Sequence, residues 1–231
     1  RRAIHPWLDW RAYQELRRLF CDQKPDVVHT HSSKAGILGR RAAHVANIPR
    51  IVHTIHGLPF HDYQSGLVHR FFRWCERTAA PWCDHIVCVG EEMKRKAIEA
   101  GLGPPELFSV IYSGMEVDRF LATHDGTAVR KSLGIPPEAR VAGIISRLAP
   151  LKGHESLIEA GEGLHLLFVG DGERRGELEH LAKARKIPVT FTGLVPPERI
   201  PELLSAMDLL VHTSYREGLP RAIPQALIAG K

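Results

Sequence analysis

The sequence predicts an α/β fold built from two successive doubly wound, Rossmann-like domains. Short apolar runs alternate with helical patterns along the 231 residues, which is typical of parallel strands joined by helical crossovers. This alternation loosens between residues 114 and 137, where Gly and Pro cluster, and then restarts. We therefore expect an N-terminal domain over residues 1–120 and a C-terminal domain over residues 121–231.

The expected elements of the first domain alternate regularly. A helix over residues 9–21 precedes the first strand, and Ser32 or Ser33 is the candidate N-cap of the next helix. Strands are expected at residues 27–31, 51–56, 84–89 and 110–113, with helices at 32–46, 66–80 and 91–100. In the second domain, strands are expected at 141–146, 164–169, 189–191 and 207–212, with helices at 155–160, 174–186, 198–206 and up to Gly230.

Composition narrows the range of functions. A net charge of +5 and a pI near 9.2 indicate anionic partners, while the scattered cations argue against a nucleic-acid-binding arm. The chain contains no charge-free apolar run of about 20 residues, the length of a membrane span. The four cysteines lack zinc spacing and are interpreted as free thiols in a reducing cytosol, with a disulfide or metal site as the alternative.

The segment after the last predicted strand has the features of an anion site. Glu217-Gly218-Leu219-Pro220 joins that strand to a helix with small residues, and such turns direct backbone N–H groups towards phosphates. Glu217 could orient sugar hydroxyls beside them. The alternative is an ordinary strand–turn–helix unit with an acidic residue near the helix start.

Two cations follow the first strand of the second domain. Arg147 and Lys152 stand five residues apart across a turn, so that both can reach one point. An Arg fork and a Lys point charge suit the developing charge of a leaving diphosphate. Solvated surface cations are the alternative.

These motifs resemble those of the retaining glycosyltransferases of family 4, which include glycogen synthase-like and lipopolysaccharide glycosyltransferase-like enzymes. Glu217 to Gly230 matches the family's donor-binding motif, and Arg147 to Gly153 matches its Arg–Lys element. The family has a second Glu where this chain has Gln225, which lacks the charge expected on a ribose ligand. The resemblance implies the GT-B architecture, in which two domains face a cleft. Because the chain begins at Arg1 and stops at Lys231, we expect a fragment in which both domains are incomplete.

The resemblance also assigns roles to other strand ends. It implies catalytic roles for Arg147, Lys152, Glu217 and His56, the last as a contact to the donor sugar. It implies donor binding by Val195, Gly218, Leu219 and Gln225. Gly170, Asp171 and Gly172 are further donor-binding candidates, because they follow a strand with the flexible glycines that a nucleotide-binding turn requires. It implies an acceptor side that includes His29, His31, Ser32 and Lys34. A metal pair at His29 and His31 is a separate interpretation, because residues i and i+2 of a strand point the same way, but no third ligand is evident.

The helix over residues 66–80 interleaves cations with aromatic residues. Leu67, Phe71, Trp74 and Cys75 can form a core stripe, which is the interpretation we favour. The alternative is a basic amphipathic helix on an anionic membrane, where lipid-linked acceptors reside.

The sequence therefore predicts a retaining glycosyltransferase that needs no metal or other cofactor. The expected donor is a nucleotide-sugar, commonly a UDP-sugar in this family. The expected acceptor is a glycan or a lipid-linked molecule, in the synthesis of a cell-surface polysaccharide, such as lipopolysaccharide, or of a glycolipid. We expect a cytoplasmic protein with peripheral contact to the inner face of the cell membrane, and no nucleic acid partner. A UDP-sugar 2-epimerase of the same fold and a non-catalytic nucleotide-sugar binding module are the alternatives.

Overall fold

The computed structural model describes residues 4–231, which form two compact units, one ending at Ser113 and one beginning at Gly114. In the first unit the elements are α1 (Pro6–Gln23), β1 (Val27–His31), α2 (Ser33–Val45), β2 (Arg50–Ile55), α3 (Gly66–Ala79), β3 (His85–Cys88), α4 (Glu91–Glu99) and β4 (Phe108–Val110). Short 3₁₀ helices lie at Ala80–Trp82 and Pro105–Leu107. The four strands are parallel in the order β1-β2-β3-β4.

The strand order of the first unit determines where its core lies. Neighbouring strands follow one another in sequence, so right-handed crossovers place α2, α3 and α4 on the same face of the sheet. The core on that face includes Val28, Ile51 and Ile86. Within residues 4–113 the strand order does not reverse.

Helix α3 corrects the core packing that we favoured from the sequence. The expected core residues Leu67, Phe71 and Trp74 are 79%, 47% and 62% exposed, and Cys75 is half-buried. The opposite side of the helix is buried instead, because Glu76 forms an ion pair of 2.7 Å with the fully buried Arg40 of α2. The aromatic stripe therefore faces outward.

The second unit contains the reversal of strand order that defines a doubly wound sheet. Its elements are α5 (Val117–Leu121), α6 (Gly126–Ser132), β5 (Val141–Ile145), α7 (His154–Glu159), β6 (His165–Val169), α8 (Arg175–Arg185), β7 (Val189–Gly193), α9 (Ile200–Ser205), β8 (Leu209–Leu210) and α10 (Ala222–Ile228). The parallel strands lie in the order β7-β6-β5-β8. The winding thus changes direction between β5 and β8, and ligands of open parallel sheets bind at such a switch point.

Residues 114–137, where the alternation of strands and helices loosens, contain two short helices in the structure. Residues 114–120, which we assigned to the first domain, pack with the second unit because Phe120 of α5 is buried in its core. Helix α6 is capped by Asp125, whose carboxylate accepts hydrogen bonds from the N–H groups of Thr127 and Ala128 at 3.0 and 3.2 Å. The strand expected at 110–113 lies earlier, as β4 at Phe108–Val110, and the strand expected at 207–212 is reduced to the two residues of β8.

The four cysteines are unpaired, and burial raises the pKa of Cys88 to about 11. Within residues 4–231, no helix combines the length and the apolar composition that a membrane crossing requires.

Candidate active site

The loops after β5 and β8 meet at the carboxyl edge of the second sheet. Thr213 donates a hydrogen bond from its hydroxyl to the Lys152 carbonyl (2.9 Å), and the Tyr215 N–H donates to the Leu151 carbonyl (3.0 Å). Gly153 has φ 69°, and a Cβ there would lie 2.3 Å from the Thr213 carbonyl oxygen. Glycine is therefore required where the two loops touch. These contacts bring together the two motifs that the sequence places 65 residues apart.

Lys152 and Glu217 form an ion pair across these two loops. Their side chains are 24% and 25% exposed, so the pair is accessible from solvent but partly shielded by protein. Arg147 follows β5 on the same edge, is exposed, and has no carboxylate partner in the described part of the chain. Burial lowers the pKa of the neighbouring Arg216. The edge thus offers an exposed guanidinium and an ammonium held by a carboxylate.

Buried polar atoms without hydrogen-bond partners concentrate at the same edge. Among residues 4–231, four such side-chain atoms occur, and three belong to His154, His212 and Ser214; the fourth is Arg40 Nη1 in the first unit. His212 Nε2 lies 3.5 Å from Glu217 Oε1, too long for a hydrogen bond. Buried polar groups are rarely left unpaired in native proteins, so this concentration fits a site that binds a polar ligand.

His154, His212 and Ser214 were missed by the sequence analysis. His154 Nε2 lies 2.9 Å from the Ser146 hydroxyl, and burial lowers the pKa of His154 to about 4, so its imidazole is neutral at pH 7. Burial also lowers the pKa of His212. The only sequence signal for His212 was its position at the end of an apolar run.

The glycines after β6 are explained by contact between loops. Cβ atoms at Gly170 and Gly172 would lie 2.1 and 2.2 Å from the carbonyl oxygens of Ser146 and Leu148. These glycines therefore let the loop after β6 lie against the loop that carries Arg147. Asp171 accepts a hydrogen bond from the Gly172 N–H at 2.8 Å.

The helices that follow the Arg147–Gly153 loop and the Thr213–Glu217 loop are short. Helix α7 has 6 residues and α10 has 7, and α10 begins at Ala222, beyond Gly218 and Leu219. The N–H groups of Gly218 and Leu219 therefore precede the helix, and these helices are too short to form a strong dipole at Glu217. Gln225 lies on α10, half-buried, with no side-chain hydrogen bond among the described residues. Val195 is half-buried, with its side chain packed against the core.

Three histidines cluster at the carboxyl ends of β1 and β2 in the first unit. The rings of His29 and His31 lie 4.3 Å apart, and His31 Nδ1 lies 3.0 Å from His56 Nε2. His29 Nε2 lies 2.7 Å from the Thr54 hydroxyl. Burial, followed by the charge of His31, lowers the pKa values of His29 and His56. Across residues 4–231, no group of three or more His, Cys, Asp or Glu side chains is arranged to hold a metal ion.

The remaining acceptor-side residues follow β1. Ser32 occupies the N-cap position of α2 but makes no capping hydrogen bond, contrary to its expected role. Its φ of 65° lies in the left-handed region, an uncommon conformation for a serine that is often found at functional sites. Lys34 forms an ion pair of 2.6 Å with Asp9 of α1.

Comparison with known families decides the class of this protein. A model of Glycosyltransferase Family 4 matches residues 1–119, and a model of Glycosyl transferases group 1 matches residues 125–231. The chain belongs to glycosyltransferase family 4. The two matches cover the two units in turn, and solved GT-B glycosyltransferases share their architecture.

Several relatives place this family 4 chain in context. It is 32% identical over 233 residues to the UDP-Gal:alpha-D-GlcNAc-diphosphoundecaprenol alpha-1,3-galactosyltransferase of Escherichia coli, covering 96% of this chain and 60% of the relative. It is 27% identical to the 2-deoxystreptamine glucosyltransferase of Streptomyces kanamyceticus, covering 89% and 58%. The crystal structure of Anabaena Alr3699/HepE in complex with UDP-glucose matches with a TM-score of 0.81 and 26% identity, covering 95% and 61%. The chain thus spans about three-fifths of the length of these relatives.

Proposed function

We propose that the intact protein transfers a hexosyl group from a UDP-sugar to a glycan or lipid-linked acceptor, with retention of the anomeric configuration. The solved relative that contains UDP-glucose supports the donor. The Escherichia coli relative, named for a diphosphoundecaprenol acceptor, supports a lipid-linked acceptor in cell-surface polysaccharide synthesis. We place this reaction in the cytoplasm, at the inner face of the membrane. The observation that carries the proposal is the meeting of the Arg147–Gly153 and Thr213–Glu217 loops at the switch point.

The proposed reaction breaks the bond between the anomeric carbon and the diphosphate oxygen. Negative charge develops on the diphosphate, and the Arg147 guanidinium and the Lys152 ammonium stabilise it by charge-assisted hydrogen bonds. The acceptor hydroxyl oxygen bonds to the oxocarbenium-like carbon from the face that the diphosphate leaves. Its proton passes to the departing diphosphate oxygen. The anomeric configuration is thereby retained without an enzymic nucleophile.

In this proposal the diphosphate draws Lys152 away from Glu217. The Glu217 carboxylate is then available to orient sugar hydroxyls, and His212, whose Nε2 lies 3.5 Å from Glu217 Oε1, is the neighbouring group that can donate to the oxygen that Lys152 leaves. The donor site also includes Gly218, Leu219 and Gln225. The adjoining loops contribute Gly170, Asp171, Gly172 and Val195. His56 contacts the donor sugar. We also assign His29, His31, Ser32 and Lys34 to the acceptor.

The test is transfer by the intact protein after removal of each proposed leaving-group cation. We expect Arg147→Ala and Lys152→Ala each to lower kcat by about a hundredfold or more, the scale of losing one preorganised donor. Lys183→Ala, an exposed cation on α8, is the matched control and should leave kcat unchanged. Near wild-type turnover in the Arg147 and Lys152 variants would remove both residues from the mechanism.

The same assay separates the alternatives. An epimerase transforms the UDP-sugar with no acceptor present, whereas a binding module binds the nucleotide without turnover. We propose that no divalent metal is needed, because two cations already neutralise the diphosphate. Activity should therefore survive a chelator. An inverted anomeric configuration in the product, determined by NMR, would refute the retaining mechanism.

A further inference from the structure

Helix α3 exposes an apolar stripe that the candidate active site does not use. Leu67, Phe71 and Trp74 recur at positions i, i+4 and i+7, on the side of the helix opposite to the buried Glu76. Their exposed fractions are 79%, 47% and 62%. Exposed apolar side chains that lie together on a helix mark an interaction surface more often than isolated ones do.

Helices α2 and α3 carry exposed cations without exposed acids. Arg70 and Arg77 lie along the stripe, and Arg41 of α2 lies beside it; all three are exposed and have no carboxylate partner within residues 4–231. Helices α2 and α3 contain a single acidic residue, Glu76, and it is buried against Arg40. The exposed charge of both helices is therefore entirely positive.

A groove joins the two helices on this side. It has a volume of about 530 Å³ and lies between α2 and α3, with Ile37 and Val45 on one wall and Trp74 and Trp82 on the other. Arg41 lies at the groove with its guanidinium carbon 5.4 Å from the Tyr13 ring centroid and 5.9 Å from that of Trp82. Aromatic rings on both sides hold this cation at the edge of an apolar surface.

Helix α1 also exposes aromatic side chains, but it exposes acidic side chains as well. Trp7 and Trp10 of α1 are also exposed and stack at 5.5 Å. The outward positions of α1, however, include the acidic residues Glu15 and Asp22. A surface that is both aromatic and purely cationic is found on α2 and α3.

We propose that this surface docks on an anionic phospholipid bilayer. We call it the α2–α3 face, and it consists of Arg41, Leu67, Arg70, Phe71, Trp74 and Arg77. Leu67, Phe71 and Trp74 enter the interfacial region, where aromatic and apolar side chains are favoured, and the three arginines contact lipid phosphates. Charge complementarity selects this occupant, because a neutral protein surface would leave three arginines desolvated and unpaired. Docking here would bring the protein to the membrane that holds the proposed lipid-linked acceptor.

The test measures binding of the intact protein to vesicles in the absence of nucleotide. Vesicles of phosphatidylcholine with phosphatidylglycerol should bind the protein, vesicles of phosphatidylcholine alone should bind it weakly, and salt should weaken binding to the anionic vesicles. Arg70→Glu/Arg77→Glu should lower the affinity by about tenfold or more. Lys131→Glu/Lys183→Glu makes the same charge change on exposed cations of the second unit and should have a much smaller effect.

A second pair of variants tests the apolar part of the face. Leu67→Ser/Trp74→Ser should lower vesicle affinity, whereas Val117→Ser/Leu121→Ser, on the exposed side of α5, should not. Thermal melts identify any variant that fails to fold, and the charge variants then still decide the question. The proposal is overturned if face and control variants bind vesicles equally. It is also overturned if the face variants abolish self-association of a protein that does not bind vesicles. Because no turnover is measured, failure of the proposed transfer reaction leaves this result unaffected.

Discussion

At the scale of single residues, Gly36 is fixed by the histidine that it faces. A Cβ at Gly36 of α2 would lie 2.5 Å from Cε1 of the buried His53, whose Nδ1 is 2.9 Å from the Thr30 hydroxyl. We expect Gly36→Ala to lower the free energy of unfolding by about 1–2 kcal/mol, because overpacking outweighs the gain in helix propensity. Urea denaturation measures it. Gly66→Ala is the control at the start of a helix. A Cβ at Gly66 would meet no neighbouring atom within 4 Å, so this substitution should be neutral or slightly stabilising.

Gln225 is the residue at which this chain departs from its family's donor motif. Its amide is half-buried on α10 and forms no side-chain hydrogen bond among the described residues, so it is free to contact a ligand. A carboxylate makes stronger hydrogen bonds to a diol than an amide does, so Gln225→Glu should tighten nucleotide binding by about 1 kcal/mol. Titration calorimetry of the intact protein with UDP tests this. Unchanged affinity in both Gln225→Glu and Gln225→Ala would place the residue outside the site.

The site residues that could be predicted from the sequence are those that belong to a recognisable motif. Arg147, Lys152 and Glu217 were expected at strand ends, and the structure places them on two touching loops. Their pairing could not be predicted, because the Lys152–Glu217 contact depends on β8 lying beside β5. The unpaired His212 and Ser214 could not be predicted either, since hydrogen-bond satisfaction is a property of the folded chain.

At the scale of elements, the inner side of α3 buries an ion pair. The stripe of Leu67, Phe71 and Trp74 is a plausible core face in sequence, but Glu76 on the other side pairs with Arg40. Burial raises the pKa of Glu76 while Arg40 opposes that shift. Periodicity gave the correct helix and the wrong buried side, because it cannot weigh a tertiary ion pair against apolar burial.

Removing one partner of this pair should be costly. We expect Glu76→Leu to lower the free energy of unfolding by about 3 kcal/mol or more, because it leaves the Arg40 charge buried and uncompensated. Arg40→Leu/Glu76→Leu should lower it by less than the sum of the single substitutions. Chemical denaturation of the three variants closes this double-mutant cycle. Additive effects would show that the pair does not couple α2 to α3.

The elements that the sequence analysis missed are short and depend on tertiary packing. Helices α5 and α6 have 5 and 7 residues, and too few periodic positions to stand out. Gly126 opens α6 at a point where a Cβ would lie 2.2 Å from the Ser205 carbonyl oxygen. Close packing against α9, rather than turn formation, accounts for this glycine.

At the scale of the whole molecule, the alternation of strands and helices predicted both sheets but not their strand order. Within residues 4–113 the strands of the first sheet lie side by side in their order along the chain. In the second sheet the strand order reverses between β5 and β8. Apolar runs show where strands lie along the chain, whereas their neighbours depend on which side of the sheet each crossover helix packs. The candidate site lies where the order reverses, so its position follows from the motifs together with a topology that only the structure supplies.

Buried histidines should make the stability of the whole molecule depend on pH. Burial lowers the pKa of His53 to about 3 and that of His154 to about 4. Burial is also the largest cause of the lowered pKa values of His29, His56, His165 and His212. Histidine in an unfolded chain has a pKa of about 6.5, so below that pH the unfolded state binds more protons than the folded state. The contribution of these neutral histidines to the free energy of unfolding is therefore complete above about pH 6.5. It is lost as the pH falls towards their pKa values in the folded state.

We expect the free energy of unfolding to fall between pH 7.5 and 5, by up to about 1.4 kcal/mol per pH unit for each histidine that is protonated only on unfolding. Urea denaturation across this range measures the slope. His53→Gln and His154→Gln should each reduce the slope, whatever they do to stability at pH 7.5, because each removes one proton from the linkage. His180→Gln, at an exposed position on α8, is the control and should leave the slope as it is in the wild type. If the pH dependence of the free energy of unfolding has the same slope in all four proteins, His53 and His154 accept protons in the folded state. Each imidazolium would then need a charge partner in its surroundings.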